Sequence, residues 1–214
     1  MSFKLSFNTL IFILLTSCFC SCSSSRFANK SVAKNSYSKE EMKYISNGTK
    51  DQPMRVFLTT NESDSLLLRK KSQYIHPAPN DKILTLFIDR LLSTVQDSMS
   101  LGVGIAAPQV GVLKNIIWVQ RFDKEGFPFE VYLNPNIIQY TDKKQPCPEG
   151  CLSIPNKKAT NQNRAYAILL EYDTPIGEHK VEMIEDFTAV IFQHEIDHLN
   201  GILFTDYIGG SLKD

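Results

Sequence analysis

The sequence predicts an α+β fold of antiparallel strand pairs with few helices, and three observations carry that expectation. Short apolar runs follow one another between turn signals from residue 115 onward, with few crossover helices that could join them as parallel strands. Apolar residues recur at helical spacing in two windows, residues 81–98 and 187–199. Composition supplies a core, since 43% of the 214 residues are hydrophobic, enough for one compact domain plus an extension.

The N-terminus reads as targeting sequence. Lys4 precedes an apolar run over residues 5–15, too short to span a bilayer as a helix and of the right length for a signal-peptide core. Leu15-Thr16-Ser17-Cys18 resembles a bacterial lipoprotein processing box, with Cys18 as the lipidated residue. Residues 1–17 are therefore expected to be a signal peptide. Residues 18–50, rich in Ser, Lys and Asn, are expected to be a flexible tether, because such a stretch buries little surface. The catalytic domain is expected over residues 51–214.

Within that domain, Asn80 or Asp81 can cap a helix running to about Ser98, with Ile83, Leu84, Phe87, Ile88, Leu91, Leu92 and Val95 on its apolar face. Residues 101–109 end that helix and are too glycine-rich for an ordinary strand. Residues 115–121 and 130–133 read as strands joined across 123–128. A second pair, 165–172 and 180–184, turns at 173–177. A last helix over 187–199 stops near Asn200-Gly201, and residues 202–207 could add a closing strand.

That last helix carries the chemistry. Gln193-His194-Glu195-Ile196-Asp197-His198 reads HExxH. Two histidines four positions apart are separated by about 40° around a helix, so both imidazoles can reach one metal. Glu195 lies where its carboxylate can reach water on that metal. Two of the four histidines fall in this motif, whereas His76 and His179 lack any ligand spacing and read as surface residues. Glu149-Gly150-Cys151-Leu152-Ser153 offers a thiolate, which would complete three ligands and leave a position open, as in a catalytic site. An isolated cysteine would otherwise read as a small buried residue. Gly102-Val103-Gly104-Ile105-Ala106-Ala107-Pro108-Gln109 lets another backbone approach and presents an amide, although alone it reads as a packing loop.

Together GVGIAAPQVG, EGCLS and QHEIDHLNG, in that order, resemble peptide deformylase over residues 54–208. The resemblance implies antiparallel sheets packed around a central HExxH-bearing helix. It implies Cys151, His194 and His198 as metal ligands and Glu195 as general acid/base. Gln109 and the Leu152 N–H would hold the oxyanion. Val103, Gly104 and Ile105 would pair with the substrate backbone, and Val190 and Ile191 would line the methionine pocket. Glu149, Arg164 and Asp197 would support the ligands. The implied metal is Fe²⁺, with Zn²⁺, Ni²⁺ or Co²⁺ able to take its place. The implied partners are N-formylmethionyl peptides or nascent chains, and a monomer is expected.

Equal numbers of basic and acidic residues, 23 of each, give no field that would favour nucleic acid. Of five cysteines, Cys18, Cys20 and Cys22 cluster at the processing box, and Cys147 is expected to stay reduced beside the metal loop rather than bridge to Cys151. The leader points to a lipid-anchored protein of the cell envelope, with a cytoplasmic enzyme as the alternative. Two further readings remain open from the residues. An exported HExxH metallopeptidase would need a third ligand beyond the helix, where no histidine follows His198. A non-catalytic metal- or peptide-binding lipoprotein would leave Glu195 and Gln109 without a purpose.

Overall fold

A computed structural model describes residues 35–98 and 102–208. The signal peptide over 1–17 and Cys18 lie outside the described residues. Helices α1 (Lys39–Ser46), α2 (Glu62–Leu68) and α3 (Lys82–Val95) come first. Strands β1 (Gly104–Ala106), β2 (Ile116–Gln120) and β3 (Phe129–Tyr140) follow, then β4 (Lys144–Cys151), β5 (Ile154–Ala165), β6 (Ala167–Asp173) and β7 (His179–Glu185), and finally α4 (Asp186–Leu199). One sheet has the order β1-β2-β3-β6-β7 and a second is the hairpin β4-β5, with every pairing antiparallel.

Strand alternation divides the core. Ile116 and Trp118 of β2 face one side, toward Leu84, Phe87, Leu91 and Val95 of α3. Ile117 and Val119 face the other, toward Ala189, Phe192, Ile196 and Leu199 of α4, together with Tyr132, Ile168, Leu170 and Ile184. The HExxH helix thus lies against one face of the five-stranded sheet with α3 on the other. The expected α+β class and central helix are present. Asp81 caps α3 by accepting the Ile83 and Leu84 N–H groups. At the far end of α4, Asn200 is the cap and Gly201 takes φ 73°, the left-handed region a glycine tolerates.

Three expectations need correction. The tether expected over 18–50 does not extend to residue 50, because residues 39–46 fold as α1. Ser38 and Glu41 form a capping box there, and Ile45 is fully buried. The buried Arg90 guanidinium of α3 donates to the Tyr44 and Ile45 carbonyls at the end of α1, where a cation is favoured. The closing strand expected over 202–207 is instead a short 3₁₀ turn, Phe204–Asp206. Asp206 accepts the Leu203 N–H and pairs with Arg69, so a local side-chain bond replaces a ladder. The glycine-rich 101–109 stretch does contain a strand, the three residues of β1, followed by a 3₁₀ turn over Ala107–Val110.

The β4–β5 hairpin had no counterpart in the sequence reading. Its strands KQPCPEGC and IPNKKATNQNRA are polar, proline-interrupted and without apolar alternation. They are held by their mutual ladder and by the ion pair from Arg164 of β5 to Glu149 of β4. Among the described residues no helix is long and apolar enough to cross a membrane.

Candidate active site

Helix α4, the end of β4 and the β1 region converge on one cavity of about 430 Å³. Helical spacing puts His194 and His198 on one face of α4, and the tight link from β4 into β5 brings Cys151 over them. One donor atom from each of Cys151, His194 and His198 lies within 4.8 Å of the others. The Cys151 Sγ and His198 Nε2 atoms are 3.2 Å apart. Tetrahedral metal bonds of about 2.1 Å to nitrogen and 2.3 Å to sulfur would separate such donors by about 3.6 Å, so the residues fit one divalent ion.

The rest of each imidazole is set by its surroundings. His194 Nδ1 lies 2.7 Å from Glu149 Oε2, leaving Nε2 for the cavity. Glu149 is locked by two 2.8 Å bonds from Arg164, whose third nitrogen reaches Asp197 at 2.6 Å. Asp197 in turn accepts the Tyr207 hydroxyl at 3.0 Å, and the Arg164 guanidinium lies 4.8 Å from the Tyr207 ring centroid. Burial alone would raise the Glu149 carboxyl, but His194 and Arg164 overcome it and hold its pKa at about 2. Burial pushes His198 well below the usual histidine range, keeping it in the neutral form that binds metals.

Glu195 is buried beside the ligands, and among the described residues its Oε2 has no hydrogen-bond partner. Burial is the main reason its pKa is pushed up to about 7. Gly104 supplies the space it occupies: a Cβ on residue 104 would lie 2.6 Å from Glu195 Oε1 and 2.9 Å from Ile191 Cγ2. Gln109 is oriented by its own turn. Its Oε1 accepts the Ala106 N–H at 2.8 Å, so its Nε2 must face Cys151 Sγ at 3.5 Å and Ser153 Oγ at 3.3 Å.

The structure brings most of the expected residues together. Gln109, Glu149, Cys151, Leu152, His194 and Glu195 line the cavity, as do Val103, Gly104, Val190 and Ile191. Arg164 and Asp197 sit behind Glu149, and His198 is almost wholly buried at the base. Ile105 is the exception, since its side chain is fully buried in the α3 core rather than in the cavity. Cys147 lines the cavity, and both it and Cys151 are free thiols.

Four neighbours were missed from sequence. Ser153 stood in the EGCLS motif with no role assigned to it, and Tyr207 carried no spacing signal. Lys158 lies on the hairpin that the apolar pattern concealed. Phe187 was legible in principle, because Phe187, Val190, Ile191 and His194 follow the i, i+3, i+4, i+7 rule of one helix face.

Comparison with known proteins gives a consistent result. The profile of the polypeptide deformylase family matches residues 56–213. A peptide deformylase of Desulforudis audaxviator is 38% identical over 155 residues, covering 72% of this chain and 94% of its own. The Met-Ala-Ser-bound crystal structure of a class I type b peptide deformylase from Acinetobacter baumannii aligns with a TM-score of 0.63 at 31% identity, covering 73% of this chain and 99% of its own. The peptide deformylase of Thermotoga maritima aligns at a TM-score of 0.63 and 29% identity, covering 73% and 97%.

Proposed function

The chain belongs to the polypeptide deformylase family, and from that premise we propose how its own residues divide the work of the reaction. The reaction is metal-dependent hydrolysis of the N-formyl group from formylmethionyl peptides, with release of formate. The observation that carries the assignment is the convergence of Cys151, His194 and His198 beside an unpartnered, buried Glu195 carboxylate oxygen.

Cys151, His194 and His198 hold the metal. A divalent ion there supplies a Lewis acid that lowers the pKa of water and polarises a carbonyl oxygen. We take the resident ion to be Fe²⁺. One thiolate and two imidazoles suit iron and zinc alike, so metal analysis of anaerobically purified protein decides between them. Glu195 accepts the water proton on Oε2 as the oxygen attacks the formyl carbon. The negative charge gathering on the former carbonyl oxygen is met by the Gln109 Nε2 and Leu152 backbone N–H groups. Glu195 then returns the proton to the nitrogen as the C–N bond breaks, because an amide anion leaves poorly. The Glu149–Arg164–Asp197 chain holds His194 in the tautomer that faces the cavity.

The substrate backbone pairs along Val103 to Ile105 as an added strand. Two features support this: β1 ends the sheet order, and it borders the cavity through Val103 and Gly104. The methionine side chain then meets Val190 and Ile191. The tight wall at Gly104 and Gln109 admits hydrogen on the acyl carbon more readily than a methyl group. Formate release from formyl-Met-Ala-Ser, with acetyl-Met-Ala-Ser turned over far more slowly, is the expected result. Cleavage confined to internal peptide bonds would overturn the assignment.

Gly104→Ala tests the same wall. The added methyl must displace Glu195 or Ile191, and a displacement of about 1 Å costs about 10²-fold in kcat/KM. Metal content should stay at the wild-type level, since the atoms nearest the added methyl belong to Glu195 and Ile191 and not to a ligand. A variant within threefold of wild type would remove Gly104 from the argument.

We further place the enzyme in the cell envelope on a lipid anchor at Cys18. Lys4, the apolar run over 5–15 and the processing box support this reading. Labelling by palmitate in a carbonate-resistant membrane fraction is expected; soluble protein that retains residues 1–17 would refute it.

A further inference from the structure

Helix α1 lies outside the span that matches the family, which begins at residue 56, yet it is built into the body of the protein. Asn35, just before it, pairs with both backbone groups of His76, accepting the N–H at 2.8 Å and donating to the carbonyl at 3.0 Å. Arg90 holds the other end through the Tyr44 and Ile45 carbonyls. Ile45 is fully buried in one apolar cluster with Ala107, Val110 and Val112. The same stretch of chain carries Gln109, whose amide faces Cys151 and Ser153.

Two arms join α1 to the Gln109 turn. The buried Glu41 carboxylate accepts the Ser38 N–H on Oε2 at 2.7 Å, which fixes the side chain. Its Oε1 accepts the Leu113 N–H at 2.9 Å, a charge-assisted bond at the exit of the turn. The turn itself closes through the Gly111 N–H to Pro108 O and the Val112 N–H to Ala107 O, so the Leu113 bond ties a closed unit to α1. The second arm is Tyr44, packed edge-on against Phe57 with ring centroids 5.5 Å apart. The Phe57 N–H donates to the Gln109 carbonyl at 2.7 Å. Gly111 lets both rings press on the turn, since a Cβ there would lie 2.5 Å from Phe57 Cζ and 2.9 Å from Tyr44 Cε2.

The position of that backbone reaches the cavity through Gln109 itself. Its Oε1 is bonded to the Ala106 N–H, so any shift of the turn moves Nε2 with it. A donor to a developing oxyanion acts only if it is in place before charge appears, and small displacements are costly. We propose that Glu41 and Tyr44 are positioning residues for Gln109, so that the segment before the family-matched span sets where the oxyanion donor stands. This rests on the oxyanion role given to Gln109 above.

A double-mutant cycle on metal-loaded full-length protein separates positioning from mere support of the fold. With formyl-Met-Ala-Ser, Glu41→Ala should lower kcat about tenfold, part of the 10²–10³ that a lost oxyanion donor costs, with KM within about twofold. Tyr44→Leu, which removes the other arm, should lower kcat in the same sense. Ser38→Ala takes away the cap of α1 but leaves the Glu41 bond to Leu113, and should keep the wild-type kcat. In a Gln109→Ala background, Glu41→Ala should cost no more than about twofold, because the donor it positions is gone. Wild-type kcat in Glu41→Ala or in Tyr44→Leu, an equal loss in both backgrounds, or a matching loss in Ser38→Ala each overturns the proposal. Gln109→Ala with wild-type kcat is a different result, which removes the oxyanion reading and the positioning role with it.

Discussion

Glu195→Gln should lower kcat/KM for formyl-Met-Ala-Ser by about 10²–10⁴-fold, the range of a general acid/base, with metal stoichiometry unchanged. The amide fills the same volume in a pocket that Gly104 leaves just wide enough, so lost proton transfer rather than repacking accounts for the loss. It has no basic oxygen to accept the water proton. The pH profile carries a second signature. Burial pushes the Glu195 carboxyl to about 7, and only its ionised form acts as base, so wild-type kcat/KM falls on the acid side. A divalent cation beside the carboxylate favours the ionised form and moves that limb to lower pH. Glu195→Gln should abolish the limb altogether. Activity within tenfold of wild type, with metal bound, would remove Glu195 from the reaction.

Arg164→Ala should have the largest effect on stability. Its guanidinium is almost wholly buried and compensates Glu149 and Asp197 together. Breaking a buried ion pair from one side typically costs about 3–5 kcal/mol, because the remaining charge stays desolvated. Here two carboxylates would be left, one of which orients His194. Denaturant unfolding should show the loss in metal-free protein, and metal affinity should weaken as well. Arg164→Lys keeps a charge but cannot reproduce the fork that serves both partners, and should fall between the two. Wild-type stability in Arg164→Ala would show the network to be idle.

Acid titration gives the same network a sign. The folded-state pKa of Glu149 is about 2, below the ordinary 4.5. Its contribution is therefore complete above about 4.5 and disappears as pH falls toward 2. In Arg164→Ala that window of acid sensitivity should shrink, since only His194 then remains to depress Glu149.

What the sequence disclosed follows from where the physics is local. The HExxH helix and α3 were legible because helical spacing makes one face of each apolar, and Asp81 and Asn200-Gly201 mark their ends. The metal donors were legible because two sit on one helix turn and the third lies in a compact motif. The β4–β5 hairpin was concealed because its stability comes from a ladder and from Arg164, neither of which leaves an apolar pattern. Helix α1 had a readable capping box in Ser38-Lys39-Glu40-Glu41, but its tertiary support comes from Arg90, more than forty residues away. The 202–207 segment looked like a strand from its apolar residues, yet the Asp206 side chain settled it as a turn. Tyr207 joins the site only through folding, so no spacing rule could have reached it, whereas Ser153 lay inside the EGCLS motif with no role assigned.

The line Tyr207–Asp197–Arg164–Glu149–His194 crosses three stretches of chain that are synthesised at different times. An emerging polypeptide that has passed residue 198 already owns every donor atom, yet lacks the tyrosine that closes the far end of the relay. Copies cut before residue 207 should therefore grip the ion less firmly than copies that keep it.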